Sequence, residues 1–404
     1  MSTRPVHYPL MDSIRGIAAI AVVATHTSFF VDFKGVHTTQ VRFGYISVVV
    51  FFVLSAFLLY GPFVRARLAD AEPPSTTAFA WRRVLRVVPA YYVALTVIAL
   101  ALGLPYVFTA DGIPTFYGFA QVYRADRALN GLSQGWTLCV EALFYVLLPV
   151  WAALMGRLPA ASRERKVRQE LIACAVLVAI SFVYKIVVTA TGAIDGGYGR
   201  PLQLNFVTFM DEFAIGMALA TVAAAYSDGR KRPRALELVE RYPSLAWGVG
   251  GAALLVGVVS LGLLGQVGDL RASGPPYVLR HYLIAVIATG LVLPAMFGDP
   301  RRGVVRRILR NRVLLYLGMI SYGIYLWHLG LLTQLDRWGF ESVAHRTTVV
   351  WFAATMAISV VVASISYYVV ERPFLKLKNR VPGRPPPQSG ESRVDPAPVT
   401  PASP

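Results

Sequence analysis

Apolar residues run through this chain in ten long stretches that are separated by short polar connections. Each stretch holds about 16 to 24 residues, and at about 1.5 Å per residue a helix of this length spans most of a hydrocarbon core about 30 Å thick. The stretches are residues 10–31, 43–64, 89–104, 136–155, 171–191, 204–225, 244–264, 278–297, 313–332 and 347–370. This pattern predicts an all-α integral membrane protein with about ten transmembrane helices.

Lysine and arginine are concentrated in every second connection between these stretches. If the N-terminus lies inside, most of the 39 lysines and arginines fall on the inner connections and in the C-terminal tail. Basic residues accumulate on the cytoplasmic side of membrane proteins. We therefore predict that both termini are cytoplasmic and that the chain is a multi-pass protein of the cell membrane.

The composition agrees with this topology, since 55% of the residues are hydrophobic and 15% are charged. A net charge of +17 would suggest a nucleic-acid partner in a soluble protein. Here the basic residues follow the topology, so no nucleic acid is expected. Cys139 and Cys174 lie in apolar stretches and indicate neither a disulfide framework nor a metal cluster. Residues 377–404, rich in Pro and Ser, are predicted to form a disordered cytoplasmic tail after a membrane domain of residues 1–376.

The first apolar stretch carries two ionisable residues, Arg15 and His26. Their spacing of 11 residues is close to three helical turns, so both side chains are expected on one face, about 16 Å apart along the axis. Ionisable groups within a membrane span are functional candidates by default. The alternative is that Arg15 extends to the lipid headgroups and His26 makes one interhelical hydrogen bond.

The predicted topology places further polar residues at the depth of His26, in the outer half of the membrane. Glu141 and His328 share this level and, with His26, form a set of candidate acid and base groups. Lys185 and Asp211 also belong to the outer half. For Glu141 the alternative is an ion pair with Lys185, and for His328 it is an interhelical hydrogen bond. Asp211, together with Glu212 and His281, is assigned to structural pairing or to acceptor contacts.

The inner half of the membrane is marked by arginine. Arg82, Arg83 and Arg86 precede Pro89 at the predicted cytoplasmic start of the third span, and Arg15 lies at a similar depth. Guanidinium groups bind phosphate bidentately and keep their charge when partly buried, so these residues form a candidate phosphate site. Ordinary pairing with anionic lipid is the alternative. Arginines in the inner half of the membrane, with histidine and glutamate in the outer half, would suit a long substrate whose phosphate groups stay at the cytoplasmic end.

Six short motifs follow one another along the chain. They are SIRGIAA leading to His26, VFFVLSAFL at 50–58, RRVLRVVPAY at 82–91, GWTLCVEALFY at 135–145, ISYGIYLWH at 320–328 and VERPF at 370–374. Each motif is weak alone, but the six in register resemble the bacterial membrane-bound acyltransferase family 3 over nearly the whole membrane domain. Ala56 is a departure, because it stands where the family usually has Gly.

The resemblance implies an O-acyltransferase with a cytoplasmic acyl-CoA donor, acetyl-CoA by family default. It also implies an acceptor hydroxyl on an extracytoplasmic sugar, glycolipid or glycan. Arg15 and His26 match the pair treated as essential in the family. Arg82, Arg83 and Arg86 match its donor-binding segment, while Glu141 and His328 match two further motif positions.

The mechanism predicted from these residues is direct acyl transfer with His26 as general base. Glu141 would orient the His26 ring, as the carboxylate does in a serine-protease triad. His328, Tyr325 or Ser55 would supply hydrogen bonds to the developing oxyanion, and Lys185 and Asp211 are further candidates for contact with the substrate. An acyl-histidine intermediate remains open, and no metal is expected.

The main alternative function is a proton-coupled transporter or flippase of a glycolipid or polysaccharide intermediate, in which the buried charges would form a proton or substrate path. The expected partners in either case are membrane lipid and a sugar or glycolipid. A homo-oligomer is left open beside a monomer.

Overall fold

The computed structural model describes residues 8–33, 44–227, 232–260, 275–344 and 347–380, and among these residues the secondary structure is helical, without a strand. Eleven of the described helices form the bundle. They are α1 (Leu10–Phe33), α2 (Gly44–Leu68), α3 (Thr76–Ala101), α4 (Trp136–Arg157), α5 (Arg163–Ala190), α6 (Phe206–Ala225), α7 (Pro243–Ser260), α8 (Pro275–Met296), α9 (Arg312–Met319), α10 (Ser321–Arg337) and α11 (Thr348–Ser366).

Shorter helical turns connect the long helices or follow them. They are Pro105–Phe108, Gly112–Phe116, Gln121–Tyr123, Ser133–Gly135, Ala193–Asp195, Gly199–Leu204, Arg234–Arg241, Val304–Leu309, Glu341–Ala344, Tyr367–Glu371, Arg372–Lys376 and Leu377–Asn379. The last of these turns falls at the start of the predicted tail, and residues 381–404 of that tail lie outside the described residues.

Eight of the described segments are long and apolar enough to cross a membrane, so the prediction of a multi-pass membrane protein is confirmed. They are Leu10–Val31, Tyr45–Leu68, Thr76–Ala101, Ser133–Arg157, Arg163–Ala190, Gly199–Ala225, Pro276–Met296 and Thr348–Lys376. The bent pair α9 and α10 would make a ninth span, and the apolar helix Pro243–Gly257 is shorter. The count of about ten and the cytoplasmic position of the termini therefore stay predictions.

Two of the predicted stretches have different helix boundaries in the structure. The stretch 313–332 is not one helix, because α9 and α10 meet at Ile320 with a bend of 72°. The third helix begins at Thr76, where the Ser75 hydroxyl accepts a hydrogen bond from the Ala78 N–H, and Pro89 lies inside it. The arginines before Pro89 are therefore part of a regular helix that orients their side chains.

Helix α2 lies at the centre of the bundle, and its buried residues are mainly aliphatic, with a few aromatic rings that stack on neighbouring helices. Phe52 stacks on Phe213 of α6 with ring centroids 4.7 Å apart, and Phe213 stacks on Phe144 of α4 at 4.2 Å. Ala56, the departure from the family pattern, is fully buried. A Cβ atom added at Gly216 would lie 2.6 Å from the methyl group of Ala56. Close packing between α2 and α6 is thus retained, since the small residue that permits it is Gly216.

Helices α1 and α9 are in backbone contact, which fixes α1 against the bend. A Cβ added at Gly318 would lie 1.7 Å from the Asp12 carbonyl oxygen, and one added at Gly16 would lie 2.5 Å from the Leu314 carbonyl oxygen. The Ser13 hydroxyl also donates to the Leu309 carbonyl at 2.5 Å. Small residues allow helices to approach this closely in membranes. The contact positions Arg15, which lies between these residues in sequence.

Gly318→Ala is expected to destabilise the protein by at least about 1–3 kcal/mol, because the new methyl group overlaps the backbone of α1. The loss of stability is measured as a fall in the melting temperature of the purified protein in detergent. Gly251→Ala in α7 is the matched control, since a Cβ there meets nothing within 4 Å. Equal melting temperatures for the two variants would contradict the backbone contact between α1 and α9.

Candidate active site

A cavity of about 330 Å³ opens between α1, α2, α3, α4 and α10 and is lined by three arginines. We call it the arginine pocket. Its lining is Arg15, Val48, Phe51, Phe52, Ser55, Leu58, Leu59, Arg83, Arg86, Val87, Thr137, Leu138, Glu141, Tyr145, Ser321, Tyr322 and Tyr325. Guanidinium groups thus share the pocket with apolar and aromatic side chains, an arrangement suited to an anion that carries an apolar arm.

The arginines come from two helices. Arg15 projects from α1, while Arg83 and Arg86 lie on one face of α3 at a spacing of three residues. Arg82, which the sequence predicts to belong to the phosphate site, is not among the lining residues. The Arg83 guanidinium lies 6.0 Å from the ring centroid of Tyr145, which stabilises the cation at the pocket wall.

Glu141 lies in the same pocket and makes a short hydrogen bond. The Ser55 hydroxyl of α2 donates to Glu141 Oε1 at 2.5 Å. Glu141 is thus the acidic group among the pocket's arginines and is held by α2. The hydrogen bonds of the described residues do not join it to His26, so the predicted role in orienting the His26 ring has no support in this geometry. The alternative ion pair between Glu141 and Lys185 is wrong, since Lys185 has another partner.

His26 and His328 are in contact with each other. The sequence predicts that they lie at the same depth, but not that they form a pair. His26 Nδ1 lies 3.0 Å from His328 Nε2, and the ring centroids are 5.0 Å apart. His328 is fully buried, whereas His26 is only partly buried. His26 is therefore the more accessible member of the pair.

The backbone fixes the tautomers of the two neutral rings. His328 Nδ1 lies 3.1 Å from the Ile324 carbonyl oxygen and 2.8 Å from that of Tyr325. Carbonyl oxygens only accept hydrogen bonds, so this nitrogen carries the proton and Nε2 of His328 is an acceptor. His26 Nδ1 must then donate to it. The Nε2 atom of His26 keeps its lone pair, which is the state required of a general base.

Tyr325 connects the arginine pocket to the histidine pair. Its side chain lines the pocket, and its ring centroid lies 6.0 Å from that of His328 on the same helix. The Tyr325 hydroxyl donates to the Gln134 carbonyl at 2.6 Å, lies 2.5 Å from the Thr137 hydroxyl and is thus held at the start of α4. His26 and His328 are not among the residues that line the pocket. The two parts of the site are therefore neighbours that meet at Tyr325.

Lys185 and Asp211 lie elsewhere, in a fully buried cluster between α5, α6 and α8. Lys185 Nζ is 2.5 Å from Asp211 Oδ2 and 3.1 Å from the Ser181 hydroxyl. His281 Nε2 is 2.5 Å from Glu212 Oε1. None of these residues lines the arginine pocket, so the structure gives no support to a substrate contact by Lys185 or Asp211. The pairing favours the structural role that was considered for Asp211.

The ligand atoms of Asp211, Glu212 and His281 lie within 4.8 Å of one another, close enough to surround a cation. Two contacts argue against that use. Lys185 already neutralises Asp211, and His281 Nε2 lies in direct contact with Glu212 Oε1, which leaves no room for an ion between them. The cluster therefore balances its own charges inside the bundle.

Tyr145 and Tyr322 are among the pocket residues that the sequence analysis missed, although their spacing to predicted site residues carried a signal. Tyr145 lies four residues after Glu141, one helical turn along the same face. Tyr322 precedes Tyr325 by three residues, and its hydroxyl donates to the Val87 carbonyl at 2.8 Å beside Arg86. Periodicity within each motif would have found both.

Comparison with known proteins gives matches along nearly the whole chain. A protein-family model described as an acyltransferase domain matches residues 8–368. The acyltransferase MdmB of Streptomyces mycarofaciens is 24% identical over 94% of this chain and 95% of its own length.

Two further relatives are longer than this chain. The putative peptidoglycan O-acetyltransferase YrhL of Bacillus subtilis is 23% identical over 91% of this chain, and a putative O-acetyltransferase of Staphylococcus aureus (strain COL) is 21% identical over 92%. The chain spans 55% and 58% of their respective lengths. No solved structure matches this chain.

Proposed function

This chain belongs to the acyltransferase family whose domain it matches and is an O-acyltransferase, and from this premise we propose its donor, acceptor and direction. The donor is acyl-CoA, with acetyl as the acyl group, and it binds from the cytoplasmic side. The acceptor is a hydroxyl group of an extracytoplasmic sugar, glycolipid or glycan. The observation that carries the proposal is the arrangement of the arginine pocket and the histidine pair on either side of Tyr325.

The arginine pocket supports acyl-CoA as donor. CoA carries phosphate groups at one end and a thioester at the end of a flexible arm. Three guanidinium groups supply bidentate, permanently charged partners for phosphate, and Phe51 and Leu58 line the apolar part of the same cavity. The positive-inside pattern predicts that this end of the bundle faces the cytoplasm, where acyl-CoA is available, and so supports the proposed donor.

The histidine pair supports direct transfer to a hydroxyl. Nε2 of His26 takes the acceptor's proton as the oxygen attacks the thioester carbonyl, the C–S bond breaks, and the proton passes to the departing CoA thiolate. His328 fixes the orientation and tautomer of His26 through the 3.0 Å hydrogen bond. The fully buried His328 therefore acts through His26, in the role that sequence reasoning had given to Glu141.

Tyr325 is the candidate for stabilising the developing oxyanion. It lines the pocket, lies beside the histidine pair, and its hydroxyl is already oriented by Gln134 and Thr137. Its single hydroxyl proton is donated to the Gln134 carbonyl, so Tyr325 would exchange that acceptor for the thioester oxygen as negative charge appears there. Ser55 also lines the pocket, but its hydroxyl proton is donated to a carboxylate, Glu141, which is a stronger acceptor to exchange, so Ser55 is the weaker candidate.

The proposal is tested by turnover. Purified protein in liposomes, given acetyl-CoA and an extract of envelope glycolipids and glycans, is expected to release free thiol and to form an acetylated product detectable by mass spectrometry. Liposomes without protein give the background of spontaneous hydrolysis. Thiol release without an acetylated acceptor, or no release with acetyl-CoA and longer acyl-CoA donors, would contradict the proposal, and glycolipid translocation would then be measured in the same liposomes.

A further inference from the structure

The VERPF motif at residues 370–374 has no part in the site described so far. In the structure it follows α11 as one π-helical turn, Tyr367–Glu371, in which the Arg372 N–H bonds to the Tyr367 carbonyl. The wider turn ends at Glu371, and Pro373 then lies in the first turn of the next short helix. Single π turns are often found at functional sites. This one directs Glu371 towards α3.

Glu371 is a buried carboxylate with one charged partner. It is 2% exposed, and Arg86 Nη1 lies 3.6 Å from its Oε2 atom. Neither carboxylate oxygen has a hydrogen-bond partner among the described residues. Arg86 lines the arginine pocket and its side chain is 26% exposed, so Glu371 lies behind Arg86 as seen from the pocket.

A second buried pair shows what a fixed ion pair looks like in this protein. Arg67 Nη1 donates to Glu170 Oε1 at 2.8 Å, and the Tyr60 hydroxyl donates to Glu170 Oε2 at 2.5 Å. Glu170 is thus satisfied on both oxygens, whereas Glu371 is satisfied on neither. The contact between Glu371 and Arg86 is electrostatic and includes no hydrogen bond. Another anion can therefore take the place of Glu371 beside Arg86.

Carboxylates accompany the pocket arginines more widely. Asp12 lies 3.4 Å from Arg15, Glu141 lies within the pocket, and Glu371 lies behind Arg86. Three guanidinium groups close together would repel one another in a low-dielectric interior. The carboxylates reduce this repulsion while the pocket is empty.

We propose that Glu371 is the resident counter-ion of Arg86, which gives up this arginine to a phosphate group when the anionic donor binds. The inference rests on the proposed function, since the anion that competes with Glu371 is the CoA moiety of the donor. Glu371 acts through Arg86 and does not touch the reacting atoms. Its role is to set how tightly the pocket holds CoA.

Removal of the negative charge at residue 371 should therefore strengthen the binding of CoA. Glu371→Gln is expected to lower the Kd of CoA about tenfold, because Arg86 no longer has a competing anion. Turnover should slow, since the CoA product leaves the same pocket more slowly. KM and kcat for acetyl-CoA would both fall. A residue that merely stabilised the fold would lower kcat without tightening CoA binding.

The test is a calorimetric titration of CoA into purified full-length protein in detergent, with wild type, Glu371→Gln and Glu371→Asp compared. Asp keeps the charge but draws it back from Arg86, so its Kd should lie between the other two, which provides a second test if the Gln variant does not fold. Glu170→Gln is the matched control: it also removes a buried carboxylate that faces an arginine, but away from the pocket, and the Kd of CoA should not change.

The outcomes separate this proposal from the proposed function. If wild type binds CoA and the Glu371 variants bind it equally or more weakly, the counter-ion role is wrong and the donor site stands. If wild type does not bind CoA, the donor assignment fails and the counter-ion role fails with it. Tighter binding in Glu371→Gln that also appears in Glu170→Gln would show a general effect of removing a buried charge, and would overturn the proposal.

Discussion

His26→Ala is expected to lower the rate of acyl transfer by about 10²- to 10⁴-fold, the range associated with loss of a general base. The donor KM should stay close to that of wild type, because His26 is not among the residues that line the arginine pocket. This split between kcat and KM follows from the separation of the two parts of the site at Tyr325.

Thiol release from acetyl-CoA with acceptor present measures the effect, and His328→Gln is the informative companion variant. The Gln side-chain oxygen can still accept a hydrogen bond from His26 Nδ1, so this variant should lose less activity than His26→Ala. If His26→Ala kept more than a tenth of the wild-type rate, His26 would not be the base. If His328→Gln were the more damaging change, the roles of the two rings would have to be exchanged.

Much of this site could be predicted from local spacing. The interval between Arg15 and His26 places both side chains on one helical face, and in the structure both meet residues of α10: Arg15 shares the pocket with Tyr325, and His26 bonds to His328. The periodicity of side-chain directions along a helix is fixed by backbone geometry, so it does not depend on how the neighbouring helices pack. The same holds for the apolar stretches that became the bundle.

Contacts between helices could not be predicted in the same way. Depth in the membrane placed Lys185, Asp211 and Glu141 in one layer, but depth does not say which helices are neighbours. Lys185 therefore pairs with Asp211, and Glu141 with Ser55. Nor does hydropathy reveal the 72° bend at Ile320, since the helices on both sides of it are predominantly apolar. That bend brings Ser321, together with Tyr325, to the wall of the arginine pocket.

Arg86→Ala is expected to raise the donor KM by about 10- to 100-fold with a smaller change in kcat. A hydrogen bond to a charged group contributes about 1.5–3 kcal/mol, and each 1.4 kcal/mol is a factor of ten in affinity. Loss of this guanidinium removes one of the three phosphate-binding groups of the pocket and leaves the histidine pair in place. Steady-state kinetics with acetyl-CoA as the varied substrate measures both constants.

Arg82→Ala separates a specific donor site from general positive charge at the membrane surface. Arg82 carries the same charge four residues earlier on the same helix but does not line the pocket, so its loss should change the donor KM by less than about threefold, as expected for a charge that does not contact the donor and contributes less than about 1 kcal/mol. Equal effects of the two variants would mean that the arginines of α3 attract anions through their summed field alone. A large effect confined to Arg86 means that CoA is held by the pocket itself, because only direct contact distinguishes two arginines one helical turn apart.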